Sequence, residues 1–220
     1  MKICCFIFAR AGSKRLKNKN MKKFCGKPLI FHSINFAKKY FKTSRVYVST
    51  DSNIIKNYAK RLNVNVIDRP KKLARDNSEE FLAWKHAVNT VEKEGTKFDI
   101  FLSLPSTAPL RSYQDVKKCL KKLKSKNEII VTCFKSEFPT NIRVKKSLNK
   151  YFYIHGTRSK RMSYQLTTSA YVTTPKYIKK SSRIFSGKLK LSEVPLERSI
   201  DINNIFDFKF AEVLSKNKLV

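Results

Sequence analysis

The chain has 220 residues, 41% of them apolar, which is enough for one compact core and excludes wholesale disorder. No apolar run approaches the length that a membrane-spanning helix needs, so no membrane partner is expected. Lys and Arg number 48 against 16 Asp and Glu, a formal net charge of +32; the basic residues form no block, so the charge is read as compositional, and nucleic acid is not the expected partner.

The apolar opening Ile3–Phe8 is followed at once by Arg10 and by no small-residue cleavage site, so it reads as a buried first strand and not a signal peptide. Further strands are expected at Arg45–Thr50, Val64–Ile67, Phe98–Leu104 and Glu128–Phe134. Between them, helical periodicity covers Pro28–Tyr40, Asn53–Leu62, Glu79–Glu94 and Gln114–Leu123. Strands alternating with helices predict an α/β fold, a mainly parallel sheet flanked by helices, with ligands bound beyond the carboxyl ends of the strands. The alternation stops after Phe134. A polar, basic stretch follows, then a strand at Thr168–Thr174 and a last helix from Ile205 to Leu214. Residues 135–167 therefore read as an arm that leaves the sheet and returns, either pairing with a second subunit or forming a loop. The five cysteines lack zinc or disulfide spacing; Cys4, Cys5 and Cys133 are expected as buried thiols in a reducing cytoplasm.

The first βα connection, Ala9-Arg10-Ala11-Gly12-Ser13-Lys14-Arg15-Leu16-Lys17-Asn18-Lys19-Asn20, is neither a Walker loop nor GxGxxG. It places a turn-permitting glycine, a hydroxyl and several cations directly after a strand. Main-chain N–H groups there can form an anion-binding concavity, and Arg10, Lys14 and Lys19 can neutralise a triphosphate. On charge alone, a basic surface turn is the better explanation of the segment.

The order of residues carries more. The pattern A-R-x-G-S-K-x-x-x-x-K-N, followed by Gly26-Lys27-Pro28-Leu29-Ile30, resembles the opening of the acylneuraminate (sialic-acid-type) cytidylyltransferase family. Val48-Ser49-Thr50-Asp51-Ser52, Arg69-Pro70 with Leu73, Ala74 and Asp76, Pro105-Ser106-Thr107-Ala108-Pro109-Leu110-Arg111, and Glu197-Arg198-Ser199-Ile200-Asp201-Ile202-Asn203 with Asp207-Phe208 are similar to its later blocks, in the same order. The resemblance spans nearly the whole chain and implies a single Rossmann-like nucleotidyltransferase domain over residues 1–220, with 135–167 as an inserted basic arm for dimer contact. It implies transfer of CMP from CTP to an acidic keto-sugar, a nonulosonic acid of sialic, legionaminic or pseudaminic type, with release of pyrophosphate and with Mg²⁺ as cofactor. The nearest alternatives are a CMP-octulosonate synthetase, which shares the Gly26–Ile30 type of segment, and a catalytically weak relative that binds polyanions.

Residue by residue, the resemblance puts Arg10, Ala11, Gly12, Ser13, Lys19, Asn20 and Arg69 on the nucleotide. Arg10, Lys19 and Asp201 become the catalytic groups, and Asp201 with Asn203 the metal ligands. Thr107, Arg158 and Arg161 fall at the sugar. Asn203 stands where the family has a second aspartate, Pro105 where many relatives have glutamine, and Ala11 where relatives have glycine. His32 and His86 are expected to be structural or exposed, and His155 to contact sugar or nothing. Asp51 and Ser52 should cap the helix at Asn53, Phe81 and Trp84 should be core, and Asp207 should open the last helix. Arg111 is expected either to bind substrate or to pair with a carboxylate.

Overall fold

The structure is a computed structural model that describes residues 1–136, 143–147, 150–154, 163–217 and 219. In chain order the strands and helices are β1 (Ile3–Phe8), β2 (Lys23–Phe24), β3 (Lys27–Pro28), α1 (Leu29–Tyr40), β4 (Val46–Thr50), α2 (Asn53–Arg61), β5 (Asn65–Asp68), α3 (Glu80–Lys93) and β6 (Ile100–Ser103). Then come α4 (Tyr113–Lys122), β7 (Glu128–Ser136), β8 (Arg143–Ser147), β9 (Lys150–Ile154), β10 (Ser163–Thr173), α5 (Pro175–Lys180), β11 (Lys188–Glu193) and α6 (Ile205–Lys216).

Seven strands form one sheet in the order β11-β7-β10-β6-β1-β4-β5. Pairings of β1 with β4 and β6, of β4 with β5, and of β7 with β11 are parallel. Only β10 runs against its neighbours, β6 and β7. The mainly parallel α/β architecture expected from the alternation is therefore present. The strand expected at Thr168–Thr174 is longer than its apolar signal, and it is antiparallel.

Alternation along β1 divides the core between the two faces of the sheet. Cys5 and Ile7 join Ile30, Ile34 and Ala37 of α1, Ile55 and Ala59 of α2, and Val116 and Cys119 of α4. Cys4 and Phe6 join Phe81, Trp84, Ala87, Val88 and Val91 of α3 with Tyr177 and Ile178 of α5. Phe81, Trp84 and the thiols of Cys4, Cys5 and Cys133 are buried as expected. Polar chemistry sets where the helices begin. Ser52 accepts the Ile55 N–H at the start of α2, while α4 and α6 carry reciprocal capping boxes, Ser112 with Asp115 and Asn204 with Asp207.

A third apolar cluster lies off the sheet. Leu16 from the first loop, Phe24, Leu29, Leu110 and Ile202 pack with Phe208, Ala211 and Leu214 of α6. Burying a side chain of this size is worth about 1.5–3 kcal/mol, so the cluster fixes α6 and the segment before it against the loop after β1.

The ends of the expected arm, 135–136 and 163–167, belong to β7 and β10 of the main sheet. The backbones of β8 and β9 pair antiparallel as a separate two-stranded sheet. α5 and β11 had no counterpart among the expected elements.

Candidate functional site

The carboxyl ends of β1, β4, β5 and β6 deliver Arg10, Asp51, Arg69 and the turn at Pro105–Thr107 to one edge of the sheet. There a cavity of about 360 Å³ is lined by the first loop, the 69–80 segment, that turn, β10, and Asp201 and Asn203. Among the described residues six cations face it, Arg10, Lys14, Arg15, Lys19, Arg69 and Arg75, against three carboxylates, Asp76, Glu80 and Asp201. The arrangement favours a multiply charged anion, because clustered cations inside a concave, low-dielectric wall repel one another until an anion neutralises them.

The first loop is held from several sides. The Ala11 N–H donates to Asp51 Oδ1 at 2.9 Å and the Ser13 N–H to the Ala11 carbonyl at 3.1 Å. Two of the main-chain donors expected to cradle phosphate are thus already bonded, and Asp51 braces the loop where a helix cap was expected. Ala11 and Gly12 do not line the cavity. Gly12 has no positive φ, and a Cβ there would meet nothing within 4 Å; the left-handed turn falls instead on Asn18, at φ 54°. The loop faces the cavity with the side chains of Arg10, Ser13, Lys14, Arg15 and Lys19. Asn20 lines the cavity, but its amide donates to the Arg10 carbonyl at 3.1 Å and accepts from Ser106 Oγ at 2.7 Å. It ties the loop to the turn after β6.

The cations are aimed by specific partners. Arg10 and Lys14 converge on Asp76, at 2.7 and 2.6 Å from its two carboxylate oxygens, and together they pull the Asp76 carboxyl below its ordinary pKa. Lys19 Nζ donates to the Ile202 carbonyl at 2.7 Å. Burial lowers the Lys19 pKa, and attraction to Asp201 opposes that. Arg69 donates to Ser49 Oγ and the Ser49 carbonyl at 3.2 and 2.7 Å, and lies 5.5 Å from the Phe8 ring centre, so its guanidinium plane is fixed at the cavity floor.

Asp201 sits opposite, and the bulge in β10 explains its setting. Pairing with β7 shifts between Leu166 and Tyr171, which takes Thr168 out of the ladder. Thr168 Oγ1 then donates to Asp201 Oδ1 at 2.8 Å, while Asn203 Nδ2 donates to Asp201 Oδ2 at 2.8 Å. The Ile202 N–H donates to the Thr107 carbonyl, also at 2.8 Å, joining this segment to the turn after β6. Each Asp201 oxygen accepts one hydrogen bond from these partners, and a carboxylate oxygen has capacity for another. A carboxylate with acceptor capacity left on a cation-lined cavity fits Mg²⁺, which takes one or two carboxylates and draws its remaining ligands from phosphates and water. Asn203 fits the expected ligand role less well, since its single acceptor, Oδ1, already receives the Arg15 guanidinium at 3.2 Å.

Glu80, Thr168, Tyr171, Arg15 and Ser106 line the cavity without having been assigned to it from sequence. The Glu80 carboxylate opens into the cavity with protein closely around it. That crowding raises its pKa, against the opposing Trp84 Nε1 hydrogen bond of 3.1 Å and the charge of Arg69. Arg111, expected on substrate or a carboxylate, forms no ion pair among the described residues. It is buried outside the cavity and donates to the carbonyls of Ser169 and Pro105 and to Ser33 Oγ, stapling β10 and α1 to the turn. His32 bonds the Phe24 carbonyl at 2.9 Å, a structural role. Thr107, placed at the sugar by the resemblance, lines the cavity. Arg158, Arg161 and His155 lie outside the described residues.

Comparison with known proteins places this geometry. The family model described as cytidylyltransferase matches residues 4–172. The pseudaminic acid cytidylyltransferase of Campylobacter jejuni is 26% identical over 225 residues, covering 98% of this chain and 97% of the relative. The CMP-N,N'-diacetyllegionaminic acid synthase of Legionella pneumophila is 30% identical over 226 residues, covering 97% and 96%. The N-acylneuraminate cytidylyltransferase of Escherichia coli is 26% identical over 99% of this chain, which spans about half, 53%, of that longer relative. The solved structure of CMP:2-keto-3-deoxy-manno-octonic acid synthetase complexed with CTP superposes with a TM-score of 0.71 at 17% identity, covering 99% of this chain and 100% of that one. At that identity the match speaks to the fold.

Proposed function

The chain belongs to the cytidylyltransferase family, and from that premise we propose that it transfers the cytidylyl group of CTP to a nonulosonic acid of sialic, legionaminic or pseudaminic type, releasing pyrophosphate. The observation that carries this reading is the convergence of the Arg10–Asn20 loop and Asp201 on one cation-lined cavity, although 191 positions separate Arg10 from Asp201. Relatives covered almost end to end act on two of the three acid types.

The reaction requires attack by the sugar's anomeric hydroxyl on the α-phosphorus and departure of pyrophosphate. Such displacements depend on alignment and on neutralising charge at the phosphoryl oxygens. Holding both reactants in register supplies on the order of 7–11 kcal/mol. Arg10 and Lys14 would bind the β and γ phosphates once these displace Asp76. Lys19, fixed by the Ile202 carbonyl, would neutralise charge that develops on the α-phosphate and the leaving group. Arg69, planar and locked against Phe8 and Ser49, would set the nucleoside end. Asp201 would hold Mg²⁺, oriented for it by the Thr168 hydroxyl; that ion would supply charge neutralisation on the phosphates. No histidine lines the cavity among the described residues. The sugar acid would enter beside Thr107, and the 135–167 segment would serve contact with a second copy.

The test is to incubate the protein with CTP, Mg²⁺ and a panel of keto-sugar acids that includes the octulosonic acid, measuring pyrophosphate release. Release with a nonulosonic acid is expected. Release with the octulosonic acid alone would transfer the assignment to that substrate. No release with any acid, together with tight and steeply salt-dependent binding of nucleic acid, would replace it with polyanion binding.

A further inference from the structure

The proposed triphosphate site contains one contact that its other residues do not explain, between Arg15 and Asn203. The Arg15 guanidinium donates to Asn203 Oδ1 at 3.2 Å across 188 positions of chain, and Asn203 Nδ2 donates to Asp201 Oδ2 at 2.8 Å. The orientation of the amide is dictated by its neighbours. A guanidinium has only donors and an ionised carboxylate only acceptors, so the oxygen must face Arg15 and the nitrogen must face Asp201. The Asn203 N–H is itself fixed, donating to Asp207 Oδ2 at 2.7 Å. Among the described residues Arg15 forms no ion pair.

A carboxylate at position 203 would act differently on both sides. Its oxygen would lie against the Asp201 oxygen at hydrogen-bond distance, a repulsion that a bound cation or a shared proton must relieve. On the other side it would form an ion pair with Arg15 and cancel its charge. The amide replaces the first repulsion with a hydrogen bond and holds Arg15 in place while leaving its full charge for a ligand. We propose that Asn203 is not a metal ligand but a positioning residue: it aims an uncompensated Arg15 at the phosphates that leave as pyrophosphate, so that a side-chain cation carries part of the load a second metal-binding carboxylate would carry. This rests on the triphosphate reading of the cavity.

The experiment is calorimetric titration with inorganic pyrophosphate in the presence of EDTA, then with Mg²⁺, on the wild type, Arg15→Gln, Asn203→Ala and the double variant, each checked for an unchanged melting temperature. Wild type is expected to bind pyrophosphate without metal. Arg15→Gln is expected to weaken that metal-free binding by about tenfold, the value of one charge-assisted contact. Asn203→Ala should weaken it several-fold in the wild-type background and leave it unchanged where Arg15 is already replaced. If Asn203→Ala leaves metal-free binding intact and lowers only the gain that Mg²⁺ brings, Asn203 is a metal ligand and the inference falls. If the two substitutions weaken binding independently, Asn203 does not act through Arg15 and the inference also falls. Failure of the wild type to bind pyrophosphate under either condition removes the triphosphate reading as well.

Discussion

Lys19 Nζ donates to the main-chain oxygen of Ile202 at 2.7 Å, and this bond fastens the loop after β1 to the segment that carries Asp201. The same ammonium is one of the cavity's cations, so it both fastens the two walls and faces the space between them. Replacing Lys19 with Met keeps the length of the stem and removes the charge. Pyrophosphate release is expected to fall by about 10²–10³-fold, the usual cost of deleting one donor at developing charge. Arg at position 19 should restore charge without the short ammonium geometry and recover only part of the rate.

Asp76 pairs with Arg10 and Lys14, the two cations proposed above for the β and γ phosphates. Binding must displace it. Asp76→Asn is therefore expected to tighten CTP binding a few-fold, with the gain shrinking as salt rises, because the pairs are solvent-exposed and screened. Calorimetry at two ionic strengths checks this; an unchanged or weaker affinity at low salt would show that Asp76 supports the bound state.

Arg198 and Asp115 make a two-point pair, 2.8 and 3.1 Å, beneath the segment that leads to Asp201. Burial alone would raise the Asp115 carboxyl, but hydrogen bonds from Arg198 and Ser112 outweigh it and hold the pKa below its ordinary value. A carboxyl depressed in the folded state contributes stability that is complete above the ordinary carboxylate range, near pH 4, and is lost as pH falls through the lower folded value. Asp115→Asn is expected to cost about 3 kcal/mol at neutral pH and to flatten the acid limb of the stability curve. Urea unfolding of both proteins across pH 2–7 measures both effects.

Phe208 is 2% exposed and meets Phe24 edge to face, with ring centres 5.6 Å apart. Phe208→Ala is expected to cost about 3–5 kcal/mol in urea unfolding. It should also raise KM for CTP, since the same cluster holds Leu16 of the first loop and Ile202 beside Asp201. A stability loss with KM unchanged would separate that cluster from the site.

Periodicity located the central strands and α1 to α4 and α6 closely, because each buries one regular apolar face. β11 escaped because Lys188 and Leu189 are exposed at the sheet edge and only Ser192 is buried, so the strand carries little apolar signal. The sense of β10 was not readable, since a strand buried by its neighbours shows the same apolar run in either direction. Within the site, the clustering of cations after β1 was legible as chemistry, but Arg10 and Asp201 were brought together only by the resemblance of ordered motifs. Partners such as Asp51 with Ala11, Thr168 with Asp201, and Arg15 with Asn203 depend on which loops the sheet order makes neighbours. Thr168 reaches Asp201 through a bulge that no local pattern announces.

The distance in sequence between the two walls of the cavity bears on its history in the cell. A ribosome that has released β1 and its loop must still make about 190 residues before Asp201 emerges, on the order of ten to forty seconds at ordinary elongation speeds. Asp76 emerges early enough to pair with Arg10 and Lys14, but until Ile202 and α6 follow, Lys19 lacks its carbonyl partner and Leu16 lacks part of its apolar cluster. A polyphosphate encountered then would meet one wall of the cavity, and the other would be fixed once α6 packs against Leu16 and Ile202.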